Sequence, residues 1–177
     1  ALADVRHAAA QLPGEGWAAR VAGGEGHGPV ERLLSEIRRF VTARAPERQS
    51  QFALEAPVIE PPAEMISAAL DVDALLRRLV EPAAALKARL ATRLDEEAED
   101  LDTPTRLRLE AGIRSLDRRV VQPVNAWRSM LRTLGEETPE QFVDWMAIER
   151  ERGQDVDVGL HRHWLDPTVP LTGALFE

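Results

Sequence analysis

Residues 94–108 read LDEEAEDLDTPTRLR and join two long segments whose apolar residues recur at helical spacing. Asp102 followed by Thr103-Pro104 is typical of a helix start, because aspartate caps free backbone N–H groups and proline is tolerated in the first helical turn. The short link before it leaves room only for a reversal of chain direction. The stretch therefore predicts that the two segments form an antiparallel helical hairpin.

Both segments carry an apolar stripe of the kind that one face of a helix buries. Its members are Val72, Leu76, Leu79, Leu86, Leu90 and Leu94 on the first helix, and Leu107, Ile113, Leu116, Val120, Val124, Trp127, Leu131 and Leu134 on the second. Pro82 and Pro123 lie at about the same distance from the turn, and an interior proline removes one hydrogen bond and crowds the preceding turn. We therefore expect a bent arm over residues 72–134.

The rest of the chain predicts further helices and a small sheet. Apolar spacing indicates one helix over residues 1–12 and another from Pro29 to just before Pro46, with a glycine-rich connector at 21–28 between them. Alternating residues predict an edge strand at 51–55 and a β-hairpin at 141–166. The predicted class is α+β, mainly α, and the length fits a single domain over residues 1–177.

Composition narrows the classes of function. The net charge of −8 and the pI near 5.1 argue against a protein that coats nucleic acid, because non-specific affinity for a polyanion comes from Lys and Arg. The absence of cysteine excludes disulfides, thiolate zinc sites and a thiolate-held iron–sulfur cluster within the chain. No apolar run approaches the roughly 20 residues that a membrane span needs. The composition predicts a soluble, cytoplasmic protein without membrane contact.

Two histidines form the one weak candidate for a metal site. His161 and His163 are two apart, so on a strand both side chains point to one face, and Asp166 lies just beyond them. A catalytic zinc site usually needs a further ligand from a distant strand, and the other histidines lie far away in the sequence. We therefore expect a polar strand face, and predict no metal site, no catalytic residue and no cofactor-binding residue. A small metallohydrolase is a minor alternative.

Charge is unevenly placed at the tip of the arm. Acidic residues crowd the C-terminal end of the first helix, and Arg106 and Arg108 lie at the N-terminal end of the second. Each group therefore lies at the helix end whose partial charge has the same sign, which is unfavourable. Facing each other across the hairpin, the two groups would pair and help to fix its register. The alternative is an acidic tip that steers a basic partner or repels DNA phosphates. The acidic residues are Asp95, Glu96, Glu97, Glu99 and Asp100.

The C-terminal part of the sequence resembles the DinG/XPD-type iron–sulfur helicases. Phe142-Val143-Asp144-Trp145, followed by a turn and then VGLHRHWLDP at 158–167, is similar to the strand hairpin that precedes the Ser-Ala-Thr motif in that family. In those enzymes a helix-rich insertion, the arch, rises from the first motor domain and forms one wall of the passage for single-stranded DNA. The resemblance implies that residues 72–134 are an arch-like arm and residues 141–166 its root.

The resemblance also implies that the chain is a segment of an ATP-dependent DNA helicase and does no catalysis alone. It has no Walker A lysine, no Asp-Glu-Ala-His box and no cysteine, so ATP, Mg²⁺ and any iron–sulfur cluster would be held by the missing motor domains, its expected partners. Single-stranded DNA would bind weakly, through arginines of the second arm helix. The candidates are Arg114, Arg118, Arg119 and Arg128. The alternative is a free-standing helical protein-interaction module that docks a basic partner.

Overall fold

The computed structural model describes residues 2–14, 28–44 and 52–176. Within these ranges the chain is mainly helical with one small antiparallel sheet, which confirms the predicted α+β class. Trp17, His27, Gln51 and most of the connector predicted at 21–28 lie outside the described residues. The elements are α1 Leu2–Ala10, α2 Pro29–Arg44, β1 Ala53–Pro57, α3 Ala63–Glu96, α4 Thr103–Leu116, a π-helical turn Asp117–Val121, α5 Gln122–Arg132, β2 Phe142–Glu151, β3 Gln154–Trp164 and α6 Thr168–Phe176.

The predicted helical hairpin is present, and its first helix is longer than predicted. Helix α3 begins at Ala63, well before the predicted start at Val72. The carboxylate of Asp102 caps α4 as expected, because it accepts the backbone N–H of Thr105 at 2.8 Å. The side chain and then the backbone N–H of Thr105 lower the pKa of Asp102 by hydrogen bonding to its carboxylate. The second helix of the hairpin therefore starts directly after Asp102, as the sequence predicted.

The two helical segments of the hairpin are called the first arm (α3) and the second arm (residues 103–132). They run antiparallel and bury apolar residues between them. Val80 and Ala83 of α3 form a buried cluster with Val121 and Val124 of the second arm. Ion pairs on either side of this cluster join the same two arms, and residue numbers rise along one arm as they fall along the other. The hairpin is thus held both by apolar burial and by charge pairs.

The two interior prolines have different local effects. Helix α3 continues through Pro82 as an α-helix. Before Pro123 the second arm widens into the π-helical turn, in which the backbone N–H of Gln122 donates to the carbonyl of Asp117. A proline has no N–H and crowds the carbonyl four residues earlier, so the wider turn accommodates its ring. The predicted disruption is therefore visible at the second proline only.

The π-helical turn shifts the apolar stripe of the second arm. Val121 is buried and the predicted Val120 is only partly so. The prediction that Trp127 belongs to the core is wrong, since this residue is 52% exposed. Trp127 lies in the regular helix α5, between the buried Val124 and Leu131, so the buried stripe there is too narrow to include it. The residues of that narrow stripe are Val121, Val124, Leu131 and Leu134.

Three strands form one antiparallel sheet in the order β1-β2-β3. The predicted hairpin is β2–β3, and its turn has two residues, Arg152 and Gly153, with positive φ of 53° and 82°. Such a turn matches the natural twist of the paired strands. The predicted edge strand is β1, which starts at Ala53 and pairs with β2. Helix α6 has no counterpart among the predicted elements.

Helix α2 packs on the sheet and contacts all three strands. Buried and exposed residues alternate along β1, whereas Met146, Ala147 and Ile148 of the central strand β2 are all buried. The buried residues of α2 are Leu33, Ile37, Phe40 and Val41, and those of the strands include Leu54, Ala56, Met146, Ile148 and Val158.

The internal contacts of the chain group it into two compact units. One unit comprises Ala1–Arg20 and Asp73–Ser129 and contains most of the arm. The other comprises Val21–Val72 and Met130–Glu177 and contains the sheet. Along the sequence, the arm is therefore an insertion into the sheet unit.

Candidate nucleic-acid interface

Positive charge is concentrated on the second arm, residues 103–132. This segment holds seven arginines and only two acidic residues, Glu110 and Asp117, although the whole chain has a net charge of −8. An acidic protein can therefore still offer phosphate groups a local basic surface. All four predicted DNA contacts lie on this segment.

Arg118 and Arg119 are the two predicted contacts that are exposed and lie outside any ion pair among the described residues. Both lie in the π-helical turn. Arg114 has a side chain that is 59% exposed and lies 3.8 Å from Glu110, a loose pair within one helix. All three side chains are exposed to solvent.

Arg128 is placed differently from the other three candidates. Its Nε lies 2.7 Å from Oδ1 of Asp73 on α3, and the two side chains are only 16% and 15% exposed. A charge-assisted hydrogen bond in this setting fixes the two arms relative to each other and leaves the guanidinium little freedom to reach a ligand.

Arg108 was not predicted as a contact, yet it is exposed and has no ion pair among the described residues. The basic composition of its helix is the feature of the sequence that could have identified Arg108 as a candidate contact.

The predicted pairing across the arm tip is wrong. Arg106 bonds Glu110 on its own helix at 3.3 Å, and Glu97 bonds Arg93 in the same way at 2.8 Å. Within the described part of the chain, no acid at 95–100 forms an ion pair with an arginine of the second arm. Residues four apart on a helix already face each other, so these pairs need nothing from the opposite arm. The other acids of the tip stay exposed.

An open groove of about 610 Å³ lies between α2 and the start of α3. Its two arginines are already paired, Arg32 with Asp71 at 2.9 Å and Arg39 with Glu36 at 3.0 Å. Glu64 also lines the groove. It therefore carries no excess positive charge that would attract a phosphate backbone, unlike the second arm.

The structure places His161 and His163 against the same indole, and gives Asp166 different partners. His161 stacks on Trp145 of the adjacent strand with ring centroids 5.2 Å apart, and His163 meets the edge of the same indole at 4.7 Å. Asp166 accepts the hydroxyl and the backbone N–H of Thr168 at 2.6 and 2.9 Å, and both hydrogen bonds lower the pKa of Asp166. Across residues 2–14, 28–44 and 52–176, no group of three or more His, Asp or Glu could hold a metal ion.

Sequence reasoning missed the residue between the two histidines, Arg162. Its guanidinium donates to both carboxylate oxygens of Asp144, at 2.7 and 2.6 Å, and to the hydroxyl of Thr133 at 2.9 Å. Asp144 is only 7% exposed. The available signal was a charged residue on the covered face of a strand, where burial requires an opposite charge. This network ties the residue that follows α5 to both strands of the hairpin.

Two further findings concern the class of protein. In the ranges that the structure describes, no helix has both the length and the apolar character that a membrane span requires. Compared with known proteins, the chain matches no family model, and a search of curated proteins finds no match to it.

Proposed function

We propose that this chain is the arch-like accessory region of a cytoplasmic DinG/XPD-type ATP-dependent DNA helicase, and that its arm guides or gates single-stranded DNA. Hydrolysis of ATP with Mg²⁺ belongs to motor domains elsewhere in the parent protein, and this segment does no catalysis. One observation carries the proposal, an exposed arginine surface on the second arm of a helical hairpin. This basic arm surface consists of Arg108, Arg114, Arg118 and Arg119.

The order of elements along the chain supports the proposal. Most of the arm, Asp73–Ser129, is a single insertion into the sheet unit, as an arch is an insertion into its motor domain. The residues that carry the resemblance form the β2–β3 hairpin after the arm has returned. Arginine suits a guiding wall, because contacts with phosphate position a strand without reading its bases.

Binding of single-stranded DNA tests the proposal. A fluorescent oligothymidine should bind the chain weakly, and its affinity should fall as salt rises. The double variant Arg118→Ala/Arg119→Ala should weaken binding and lower the slope of log affinity against log salt by about 0.7 for each lost phosphate contact. Fluorescence anisotropy over a series of salt concentrations measures both quantities.

The first arm offers a matched control for this experiment. Arg77 and Arg78 are also adjacent and exposed, and they lie on α3. Arg77→Ala/Arg78→Ala removes the same charge but leaves the basic arm surface intact, so it should change the salt slope much less. Equal losses from the two double variants, or tight binding that survives moderate salt, would contradict the proposal.

The second candidate function is a protein-interaction module, and the exposed arm tip favours it. Asp95, Glu96, Glu99 and Asp100 are exposed and form no ion pair within the described residues, so they are open to a basic partner. This function predicts self-association or capture of a basic protein that is lost when the four acids are neutralised. It also predicts that Arg118→Ala/Arg119→Ala has no effect on that association.

A further inference from the structure

The π-helical turn gives the basic arm surface an unusual local geometry. In this turn the N–H of Gln122 reaches back five residues to the carbonyl of Asp117, where an α-helix would reach back four. Single turns of this kind inside α-helices are rare and occur frequently at functional sites. Arg118 and Arg119 lie inside the turn, directly after its first residue.

One carboxylate holds this turn from two directions. Asp117 accepts the side-chain amide of Gln122 at 2.8 Å through Oδ2 and the ammonium of Lys87 at 2.6 Å through Oδ1. Gln122 therefore bonds Asp117 twice, once through its backbone and once through its side chain. Lys87 lies on α3 and ties the turn to the opposite arm. Lys87, Asp117 and Gln122 are called the Asp117 cluster below.

We infer that the Asp117 cluster is a positioning device, which holds the wide turn open and so fixes the directions in which Arg118 and Arg119 leave the helix. The inference rests on the proposed function. If the turn closed to regular α-helix, the residues on its two sides would rotate relative to each other by about 100°. Arg108 and Arg114, which precede the turn, would then change direction relative to Arg118 and Arg119.

A simpler role for Lys87 is an ion pair that joins the two arms without affecting the arginines. The side chains of Lys87 and Asp117 are 33% and 28% exposed, so loss of the pair leaves no fully buried charge and the arm should still fold. The two roles differ in what happens to Gln122 and to DNA binding when Lys87 is replaced. Both can be measured on the whole chain.

The first measurement is hydrogen exchange at the backbone amide of Gln122. Lys87→Met should speed this exchange, because the ion pair that holds Asp117 in place is gone. Arg89→Met is the matched control, since Arg89 is exposed on the same helix and forms no ion pair among the described residues. It should leave the exchange unchanged. Unchanged exchange in Lys87→Met as well would overturn the inference.

The second measurement places Lys87→Met in two backgrounds and follows binding of the same oligothymidine. In the otherwise native chain we expect a loss of roughly threefold, larger than that of Arg89→Met. In the Arg118→Ala/Arg119→Ala background the extra loss should shrink to that of Arg89→Met, because no arginines remain to be positioned. An equal loss in both backgrounds would show that Lys87 acts only through its charge, which would overturn the inference.

The two measurements also distinguish failure of the inference from failure of the proposed function. If Arg118→Ala/Arg119→Ala leaves DNA binding unchanged, the proposed function fails and the positioning role fails with it, whatever the exchange at Gln122 shows. If that double variant weakens binding but Lys87→Met acts no differently from Arg89→Met, only the positioning role fails.

Discussion

Arg162 and Asp144 show how one buried ion pair can organise the β2–β3 hairpin. Moving both charges out of water costs several kcal/mol, which is offset only when the geometry is good and the remaining polar atoms are satisfied. Both oxygens of Asp144 bond the guanidinium, and the hydroxyl of Thr138 lies 3.4 Å from one of them. A third hydrogen bond from Arg162 reaches the hydroxyl of Thr133. Loss of either partner should therefore cost more than the intact pair contributes.

Arg162→Ala should lower the free energy of unfolding by about 3–5 kcal/mol, because Asp144 would remain buried without its cation. Urea unfolding of the whole chain measures this loss. Arg39→Ala is a suitable control, since its side chain is 71% exposed and pairs only with Glu36 on the same helix. The control should cost less than about 1 kcal/mol. A loss for Arg162→Ala no larger than that of the control would contradict this role.

Asp117 predicts a dependence of stability on acid. The hydrogen bond from Lys87 holds the pKa of Asp117 below the value of about 3.9 expected in an unfolded chain. The folded state therefore takes up this proton less readily, so the stabilisation is present above pH 4 and is lost as pH falls through the folded pKa. The thermal midpoint should fall more steeply below pH 4 in the native chain than in Asp117→Asn. Equal slopes would show that this carboxyl contributes nothing.

At the scale of elements, local chemistry made most of the fold predictable. Asp102 and the proline that follows Thr103 mark the start of α4 directly, and alternating runs around Arg152-Gly153 mark the β2–β3 hairpin. The π-helical turn could not be predicted, because a prediction from the spacing of apolar residues assumes a constant number of residues per helical turn. The partnership of Arg162 with Asp144 depends on strand register, which residue spacing alone does not determine.

Two Gly→Ala substitutions should have opposite effects on stability. Gly112 lies inside α4, where an added Cβ meets nothing within 4 Å, so Gly112→Ala should raise the free energy of unfolding by about 1 kcal/mol. Gly153 has a φ of +82°, in the left-handed region, where alanine costs about 1–2 kcal/mol. Thermal unfolding of the two variants side by side measures both effects. A shift of the same sign in both would contradict the assigned conformations.

At the scale of the whole molecule, the charges are sorted and not evenly mixed. The second arm has an excess of arginine, whereas the link at 97–102 holds four acidic residues. Exposed charges more than about 10 Å apart are largely screened at 0.1 M salt, and the range grows to about 30 Å at 0.01 M. Under the proposed function, the acidic tip would form a repulsive border at the end of the basic arm surface, felt most at low salt.

Neutralising the tip should therefore strengthen DNA binding at low salt. The triple variant Glu96→Gln/Glu99→Gln/Asp100→Asn leaves every basic residue in place, and we expect affinity for oligothymidine to rise roughly twofold at 0.01 M salt. The gain in affinity should shrink at 0.1 M salt, because salt then screens the charges of the tip from DNA bound on the basic arm surface. Anisotropy titrations at the two salt concentrations measure this difference.

A control with the same change in net charge separates the tip from the rest of the surface. Glu64→Gln/Glu136→Gln/Glu137→Gln removes three exposed carboxylates from the sheet unit and leaves residues 72–134 unaltered. If only the total charge of −8 matters, both triple variants should raise affinity equally, and the sorting of charge would have no role in binding. A gain confined to the tip variant would mean that the bound DNA lies close enough to the arm tip for its acidic residues to repel it. An arm that guides DNA along the basic arm surface requires this proximity.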